Sequence, residues 1–502
     1  MMNLWKFHGG VHPYGHKNLS NQKSIIDAPI PQFLVLPLLQ HIGEPTEPIV
    51  RVGESVLKGQ IIAHCGAEDC SLMMSAPVHA SSSGKIVAIE KRNVPHPSGL
   101  MATCIVIETD GKDEKMGSCQ PIPDYLELDP SRIRRRIARA GIVGLGGAGF
   151  PSHFKLKPQG IDTLILNGAE CEPYITCDDR LMQEKSADIV EGALILKHVL
   201  GGAKHCIIAV EDNKPEAYDA LCEAAANEEI KIIKVPTRYP MGGERQLIQV
   251  LTNKKIGRSE LPAQHGIVVH NVETARAVYR AVIEGRPLLS RIVTVTGSGV
   301  EHPQNFEVVL GSPMSSIIEQ CGVKPNANRL IMGGAMMGMA LPTADLPVVK
   351  TTNCLLVSTP DDIELAEPMP CIRCGACAEA CPIHLLPQQL YWFARAKDFD
   401  KIQAHSLFDC IDCGCCSYVC PSQIPLVNYF RYAKSEVRAQ QVEKQKSDVA
   451  RQRHEFKMYR VEREKLEKAA RHKKKAEMAN KKNEISDAVE RAKAKKQVDK
   501  VD

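Results

Sequence analysis

The sequence has no long apolar run and no start that resembles an export signal. Nowhere in its 502 residues do about 18 apolar residues follow one another, so we expect no membrane-spanning helix. Residues 1–10 lack the basic stretch and apolar run of a signal peptide, so we expect none. The chain nevertheless contains 19 cysteines. In a chain that is not exported, so many cysteines favour metal ligands and buried thiols over disulfides.

Charge is distributed unevenly. Residues 434–502 hold 22 Lys and Arg against 13 Asp and Glu, a balance of +9, whereas residues 1–433 have a balance of −5. This tail has no Gly or Pro, which favours a long solvated helix with i,i+4 charge pairs or a partly disordered segment. Its basic residues at 473–475 and 481–482 also allow contact with an anionic lipid surface. We expect no nucleic-acid partner, because aromatic side chains for base stacking do not alternate with these basic residues.

An irregular N-terminal segment, 1–28, precedes a region with the pattern of a small β domain, 29–112. Short β-type runs there alternate with Gly and Pro, at 33–38, 50–52, 60–63, 85–89 and 104–108. The sequence VGESVLKGQ at 52–60 resembles the barrel-sandwich fold of lipoyl and biotinyl domains. No lysine here lies in a modification motif of those domains, so we expect a packing module and not a swinging-arm carrier.

The pattern changes to alternating β and α over residues 130–290. Strand-like runs lie at 162–166, 205–210, 230–235 and 266–270, and helical stretches lie near 181–200, 215–226, 243–252 and 273–284. This alternation predicts a Rossmann-like parallel sheet with helices on its faces. Residues 291–350 are β-rich again, and residues 365–432 form a cysteine-rich unit.

Two cysteine runs give the strongest signal in the chain. Both have the pattern C-x2-C-x2-C-x3-C-P, with Cys371, Cys374, Cys377 and Cys381 in the first run and Cys410, Cys413, Cys416 and Cys420 in the second. Three thiolates of such a loop bind one [4Fe–4S] cluster, and the fourth, expected at the start of a helix, binds the other cluster. We therefore expect Cys420 to complete the first cluster and Cys381 to complete the second. Zinc knuckles share the C-x2-C pairs but need no crossed fourth ligand, and Cys415 falls out of register as a ligand.

A glycine-rich loop, GLGGAGFP at 144–151, formally matches G-x-G-x-x-G. A basic helix at 131–140 precedes it and Pro151 ends it, which is not the context of a dinucleotide fingerprint. From the residues alone the loop is either a tight turn or a backbone cradle for a phosphate or flat ring. Polar stretches follow three strand-like runs, with NGAECEP at 167–173, YPMGGE at 239–244 and NVET at 271–274. Because ligands bind at the C-terminal edge of parallel sheets, the four stretches together indicate a site.

In chain order, these four stretches resemble the flavin and NADH site of the NADH-oxidising flavoprotein subunit of respiratory complex I. Residues 293–322 resemble the soluble-ligand-binding type (SLBB) of β-grasp domain that follows in that family. The complex I flavoprotein ends in a single-cluster domain, whereas this chain has two cysteine runs and begins with FHGGVHP at 7–13. The whole order, over about residues 1–435, resembles the C-subunit family of the Rnf (also called Rsx) electron-transport complex.

The resemblance implies a multidomain α/β fold. Its parts are a barrel-sandwich-like β domain (29–112), a Rossmann-like parallel α/β flavin domain (130–290), an SLBB-type β-grasp domain (291–350), a two-cluster ferredoxin-like α domain (365–432) and a charged C-terminal helix or disordered tail (434–502). It implies FMN held by Gly144, Gly146, Gly147, Gly149, Lys155, Asn167, Asn271 and Thr274. It implies NADH as substrate beside Phe150, Phe154, Glu170, Glu172 and Glu244, with Tyr239 in the same cofactor site. Gly243 and Cys171 depart from the flavoprotein pattern, which has an acid and a glycine there.

A flavin would be needed between NADH, which gives a hydride, and clusters, which take single electrons. Hydride transfer needs no acid or base, so we assign no catalytic side chain. The resemblance implies an NADH oxidoreductase subunit, peripheral on the cytoplasmic face of the inner membrane, docked to Rnf/Rsx partners that translocate ions. Two alternatives stay open: a cobalamin reductase of bacterial microcompartments, and a non-enzymatic electron-wire subunit with a vestigial flavin site.

Overall fold

The computed structural model describes residues 4–66, 73–96, 99–117, 120–157, 160–258, 260–362 and 367–498. Parts of five expected segments lie outside this description, namely residues 1–3 of the N-terminal segment, 67–72 and 97–98 of the β domain, 158–159 and 259 of the flavin domain, 365–366 of the ferredoxin-like domain and 499–502 of the tail. The chain up to Phe430 forms one compact unit, and the chain from Arg431 onward forms a second.

The N-terminal domain consists of two small antiparallel sheets. In spatial order, one contains Phe33–Pro37, Met101–Thr109, Gly84–Asn93 and Ser55–Val56, and the other contains Glu47–Pro48, Ile61–His64 and Val78–His79. The sheets bury alternate apolar side chains such as Leu34, Leu36 and Ile62 in the core. The prediction of a strand at 50–52 is wrong, because this stretch is a connection between two strands, in which Val50 is buried and Val52 is 60% exposed.

The flavin domain contains the predicted parallel sheet. Its strands, in spatial order, are Ile230–Val235, His205–Glu211, Thr163–Gly168 and Ile267–Asn271. The helices around it are Pro130–Arg139, Ser152–Lys155, Cys177–Glu184, Ser186–Val199, Pro215–Ala224, Glu244–Thr252 and Val272–Val282. The strand Thr163–Gly168 is buried on both faces, which explains its nearly continuous apolar sequence. The single helix expected near 181–200 is two helices, interrupted at Lys185, where φ is −133°.

The β-grasp domain extends beyond the expected range of 291–350. Its sheet contains, in order, Ile26–Asp27, Gln304–Val309, Ser290–Thr296, Cys354–Ser358, Arg329–Met332 and Met339–Leu341, and the helix Met314–Gln320 packs on it. The first of these strands belongs to the N-terminal segment and pairs in parallel with Gln304–Val309. The segment expected to be irregular therefore completes a sheet whose other strands lie far along the chain.

The cysteine-rich unit is helical. Its helices are Ala376–Glu379, Pro387–Ala396, Phe399–Ala404 and Cys415–Tyr418, followed by the long helix Leu426–Val498. The cysteine-rich unit also has a short 3-10 helix at Leu407–Asp409, and others lie elsewhere in the chain at Lys17–Leu19, Tyr125–Glu127, Pro262–His265 and Pro360–Asp362. Together, these elements and the sheets above agree with the multidomain α/β fold that the sequence predicts.

The charged tail is a helix, which was one of its two predicted forms. Its described side chains are almost all exposed after residue 438, and pairs such as Arg460 with Glu464 and Arg463 with Glu467 follow the i,i+4 spacing. Within the described ranges, no helix combines the length and the apolar character that a membrane crossing needs.

Candidate functional site

The glycine-rich loop lies at the C-terminal edge of the parallel sheet. It closes on itself through hydrogen bonds from Gly144 N to Phe150 O (2.7 Å) and from Gly149 N to Gly144 O (3.1 Å). Gly147 has a φ of 99°, which a glycine adopts without strain, and a Cβ there would meet no atom within 4 Å. The tip of the loop therefore presents open backbone to solvent.

Asn271 ends the strand nearest to this loop. A Cβ on Gly146 would lie 3.3 Å from Asn271 Cβ. The Asn271 Oδ1 accepts a hydrogen bond from Glu273 N (2.8 Å), and its Nδ2 donates to Asp178 Oδ2 (2.6 Å). Burial raises the pKa of Asp178 to about 8, and the nearby carboxylates of Glu170 and Glu273 add to the rise. Sequence reasoning missed Asp178, because an acid in the first turn of a helix is ordinary.

Three more of the expected cofactor residues lie at the same edge. Lys155 Nζ donates to Glu244 Oε1 (2.7 Å) and to the Val269 carbonyl (3.1 Å). Both charged side chains stay partly accessible, at 33% for Lys155 and 40% for Glu244. Asn167 Nδ2 donates to the Gly242 carbonyl (2.8 Å), which ties its strand end to the tyrosine motif. The strand ends thus carry an amide, and the helix that directly follows the loop carries a positive group.

Thr274 and the two phenylalanines also contact the loop or lie in it. Thr274 is fully buried, and its Oγ1 accepts a hydrogen bond from Leu145 N (3.0 Å). The hydroxyl therefore binds the loop on its buried side. Phe150 and Phe154 form an edge-to-face pair with ring centroids 6.4 Å apart, and both rings are partly accessible.

Glu170 and Glu172, expected beside NADH, are directed into the protein. Glu170 is buried, its Oε1 accepts a hydrogen bond from Asp178 N (2.8 Å), and burial raises its pKa. Glu172 Oε1 accepts hydrogen bonds from Met336 N (2.8 Å) and Met337 N (2.7 Å), and burial raises its pKa as well. Glu172 thereby fastens the strand-end loop of the flavin domain to the β-grasp domain.

Tyr239 connects the flavin domain to the cysteine-rich unit. Its buried hydroxyl donates a 2.7 Å hydrogen bond to the carbonyl of Cys413. The N-terminal segment reinforces this junction: Val11 exchanges two backbone hydrogen bonds with Tyr239, and Gly10 N donates to Ala380 O (2.9 Å). In addition, His8 and His384 stack with ring centroids 4.0 Å apart. The motif FHGGVHP therefore joins the flavin domain to the cluster unit.

The eight expected cluster ligands line two separate cavities. One is lined by Cys371, Cys374, Cys377 and Cys420, and the other by Cys381, Cys410, Cys413, Cys415 and Cys416. Apart from Cys415, each cavity is thus lined by three cysteines of one run and the fourth of the other run. The prediction that the fourth cysteine of each run lies at the start of a helix is wrong. Cys381 follows the helix Ala376–Glu379, and Cys420 follows the helix Cys415–Tyr418. Cys374 is exposed, whereas Cys413 and Cys416 are buried, and Cys413 packs beside the flavin domain.

The residues present fit both kinds of cofactor. Each of the two cavities contains the four crossed thiols of one [4Fe–4S] cluster, and the second also contains Cys415. The open glycine backbone, and the partly accessible Lys155 on the helix that follows the loop, match the needs of a flavin phosphate or ring carbonyl.

Comparison with protein-family models divides the chain in the same way. Residues 5–112 match the RnfC barrel sandwich hybrid domain, and residues 137–280 match the Nuo51 FMN-binding domain. Residues 292–340 match the SLBB domain, and residues 370–424 match the 4Fe-4S dicluster domain. These matches confirm the expected fold class and assign FMN and [4Fe–4S] clusters as the cofactors.

Curated relatives, each the C-subunit of an ion-translocating oxidoreductase complex, match along nearly the whole chain. The relative from Vibrio cholerae serotype O1 is 46% identical, over 98% of this chain and 64% of that protein. The relative from Yersinia pestis bv. Antiqua is 46% identical, over 94% of this chain and 75% of that protein. The relative from Serratia proteamaculans is 44% identical, over 94% of this chain and 67% of that protein. The chain thus spans between 64% and 75% of the length of these relatives.

Among solved structures, an NAD+-reducing [NiFe]-hydrogenase in the H2-reduced state is 19% identical, with a TM-score of 0.44 over 59% of this chain and 61% of that chain. The identity and coverage of the curated relatives agree with the motif order and with the domain matches. The chain therefore belongs to the RnfC family, the C-subunits of ion-translocating oxidoreductase complexes that its motifs resemble.

Proposed function

We propose that this chain is the peripheral NADH-oxidising subunit of a membrane-bound Rnf/Rsx complex, and that it passes electrons between NAD(H), FMN and two [4Fe–4S] clusters. The observation that carries the proposal is the hydrogen bond from Tyr239 to the Cys413 carbonyl. A loop beside the flavin site touches a cluster loop there, so the two redox sites adjoin within one compact unit.

The residues proposed to hold FMN, directly or through the loop, are Gly144, Gly146, Gly147, Gly149, Lys155, Asn167, Asn271 and Thr274. The exposed loop backbone offers N–H donors, and Lys155 offers a positive charge for the phosphate. Thr274 acts through the loop, because its hydroxyl is buried against Leu145 N. When bound, FMN exchanges a hydride with a nicotinamide and single electrons with iron–sulfur centres.

The proposed NADH site is the accessible side of the loop. Phe150 and Phe154 offer aromatic surface, and Glu244, whose side chain is 40% exposed, offers an acid. We propose a structural role for Glu170, Glu172 and Tyr239, since each is hydrogen-bonded to a backbone group that lies next to the site.

The proposed ligands of one cluster are Cys371, Cys374, Cys377 and Cys420, and those of the other are Cys381, Cys410, Cys413 and Cys416. The second set lies against the flavin domain, since Cys413 packs in one apolar cluster with Tyr239. The first set includes the exposed Cys374, which leaves that end of the unit open to a partner.

The proposed partners are the other subunits of the complex, which would carry out ion translocation at the inner membrane, with this chain on the cytoplasmic face. The relatives support this, because each is named as one subunit of an ion-translocating oxidoreductase complex. The exposed basic tail supports contact with an anionic membrane surface.

The test is a steady-state assay of NADH-dependent reduction of an artificial one-electron acceptor by the chain loaded with FMN and clusters. When FMN is added at a limiting concentration, Lys155→Met should lower the rate of acceptor reduction about tenfold, because the proposed FMN site loses a positive charge. The matched control is Lys204→Met, because Lys204 is 78% exposed and lies just before the strand His205–Glu211, at the opposite sheet edge. A loaded wild type that does not oxidise NADH contradicts the proposal.

A further inference from the structure

Arg291 connects the β-grasp domain to the glycine-rich loop. It is 1% exposed on the strand Ser290–Thr296. Its Nη2 donates to the carbonyl of Leu145 (3.1 Å) and to Glu273 Oε2 (2.8 Å), and its Nη1 donates to the Lys350 carbonyl (2.6 Å). The fork of one guanidinium thus joins a loop carbonyl, the helix after Asn271 and a backbone carbonyl near the end of the β-grasp domain.

Arg291 and Thr274 together hold both polar backbone groups of Leu145. The N–H of Leu145 is bound by Thr274 Oγ1 and its carbonyl by Arg291. The carbonyl of Leu145 and the N–H of Gly146 belong to one planar trans peptide, so they point in opposite directions. Because Arg291 draws the carbonyl inward, the N–H of Gly146 is directed away from the core.

The direction of this N–H matters because Gly146 is exposed and, among the described residues, its N–H has no hydrogen-bond acceptor. Glycine on one side of a peptide makes rotation of that peptide easy, so a loop at Gly146 and Gly147 would not hold one orientation by itself. The hydrogen bond from the charged Arg291 to the Leu145 carbonyl restricts this rotation.

We infer that Arg291 is a positioning residue that fixes the peptide between Leu145 and Gly146, so that the Gly146 N–H is presented to the flavin. The inference rests on the FMN site proposed above and adds a residue from the β-grasp domain to it. It also gives that domain a part in flavin binding, because its strand Ser290–Thr296 controls the conformation of the loop.

The experiment compares Arg291→Lys with the matched variant Arg280→Lys. Lysine at 291 keeps the charge beside Glu273 but lacks the fork that reaches Leu145 and Lys350 as well. Arg280 also joins the flavin and β-grasp domains, through Glu307 (2.6 Å), but has no hydrogen bond to the loop. The measurements are the Kd of FMN, from quenching of its fluorescence, and the thermal unfolding of the FMN-free chain.

The expected result is about tenfold weaker FMN binding for Arg291→Lys, with wild-type affinity for Arg280→Lys and similar unfolding temperatures. Wild-type affinity for Arg291→Lys would overturn the inference, and so would equal losses in both variants that follow their unfolding temperatures. A wild type that binds no FMN would overturn the proposed function as well, whereas a wild type that binds FMN isolates the role of Arg291.

Discussion

The hydroxyl of Tyr239 donates a 2.7 Å hydrogen bond to the carbonyl oxygen of Cys413, although 174 residues separate them in sequence. Tyr239 belongs to the loop that follows a strand of the flavin domain, and Cys413 belongs to the second cysteine run. Burial raises the pKa of Tyr239, so the hydroxyl stays protonated and remains a donor. The contact therefore fixes the cluster loop against the flavin domain.

The first prediction concerns this hydrogen bond. Tyr239→Phe removes the donor and leaves the buried Cys413 carbonyl without it, which should weaken the junction by about 1 kcal/mol. We expect unchanged FMN and iron content but slower reduction of the clusters by NADH, measured by stopped-flow absorbance. Tyr418→Phe is the control, because Tyr418 is 54% exposed. Equal rates in Tyr239→Phe and wild type would contradict a role for the contact.

The second prediction concerns the crossed ligands. Cys381→Ala should remove the cluster of the second run, and Cys420→Ala that of the first, because each cavity contains the fourth cysteine of the other run. Each variant should keep about half of the roughly eight irons expected for two [4Fe–4S] clusters. Cys415→Ala should keep all of them, although Cys415 lines the second cavity. Iron analysis with EPR spectroscopy would contradict the assignment if Cys381→Ala lost the cluster of its own run.

The third prediction concerns Glu172. Its carboxylate accepts hydrogen bonds from the N–H groups of Met336 and Met337, so Glu172→Ala removes both of these hydrogen bonds. We expect a loss of about 1–3 kcal/mol in the free energy of unfolding, measured with a chemical denaturant. Glu172→Gln is the matched control, since its amide oxygen still accepts and should recover most of the stability. An equal loss in both variants would show that the charge matters more than the acceptor.

The fourth prediction concerns pH. Lys350 is 1% exposed, donates to the carbonyls of Pro77 and Gly141, and burial lowers its pKa to about 7. Between pH 7 and 10.5 the unfolded lysine binds more protons than the folded one, so this residue makes stability rise with pH in that range. The slope contributed is at most about 1.4 kcal/mol per pH unit.

Lys350→Met removes the titrating group and keeps the approximate length of the side chain. The difference in unfolding free energy between wild type and variant should increase from pH 7 to about pH 10 in favour of the wild type. A difference that does not change with pH would contradict the lowered pKa of Lys350.

The sequence predicts the sheets well because strand positions depend on local apolar runs. The strand Ile230–Val235 has the predicted ends, and the strand Thr163–Gly168 differs from its prediction by one or two residues. The prediction at 50–52 failed because two valines have the composition of a strand, whereas the stretch is the connection between the strands Glu47–Pro48 and Ser55–Val56. The pairing of Ile26–Asp27 with Gln304–Val309 has no local signal at all.

The sequence predicted which positions form the candidate site, but it did not predict the direction in which their side chains point. The motifs located the loop and the strand ends, whereas the inward direction of Glu170 and Glu172 depends on tertiary contacts. Lys17 shows why: its ammonium donates to the carbonyls of Glu170 (2.5 Å), Glu172 (2.9 Å) and Ile175 (2.7 Å), which lie 153 to 158 residues further along the chain. Arg291 was missed for the same reason, since its contact with Leu145 spans 146 residues. The assignments of the individual cofactor ligands stay predictions.

The most direct test of electron transfer through this chain is an anaerobic absorbance titration with NADH, after purification with FMN and reconstitution of the clusters. We expect loss of flavin absorbance at about 450 nm together with bleaching of the broad cluster band, at about eight irons per chain. Eight irons without bound flavin, and with no change on adding NADH, would contradict the proposed function and leave the chain as a one-electron conductor supplied by another subunit.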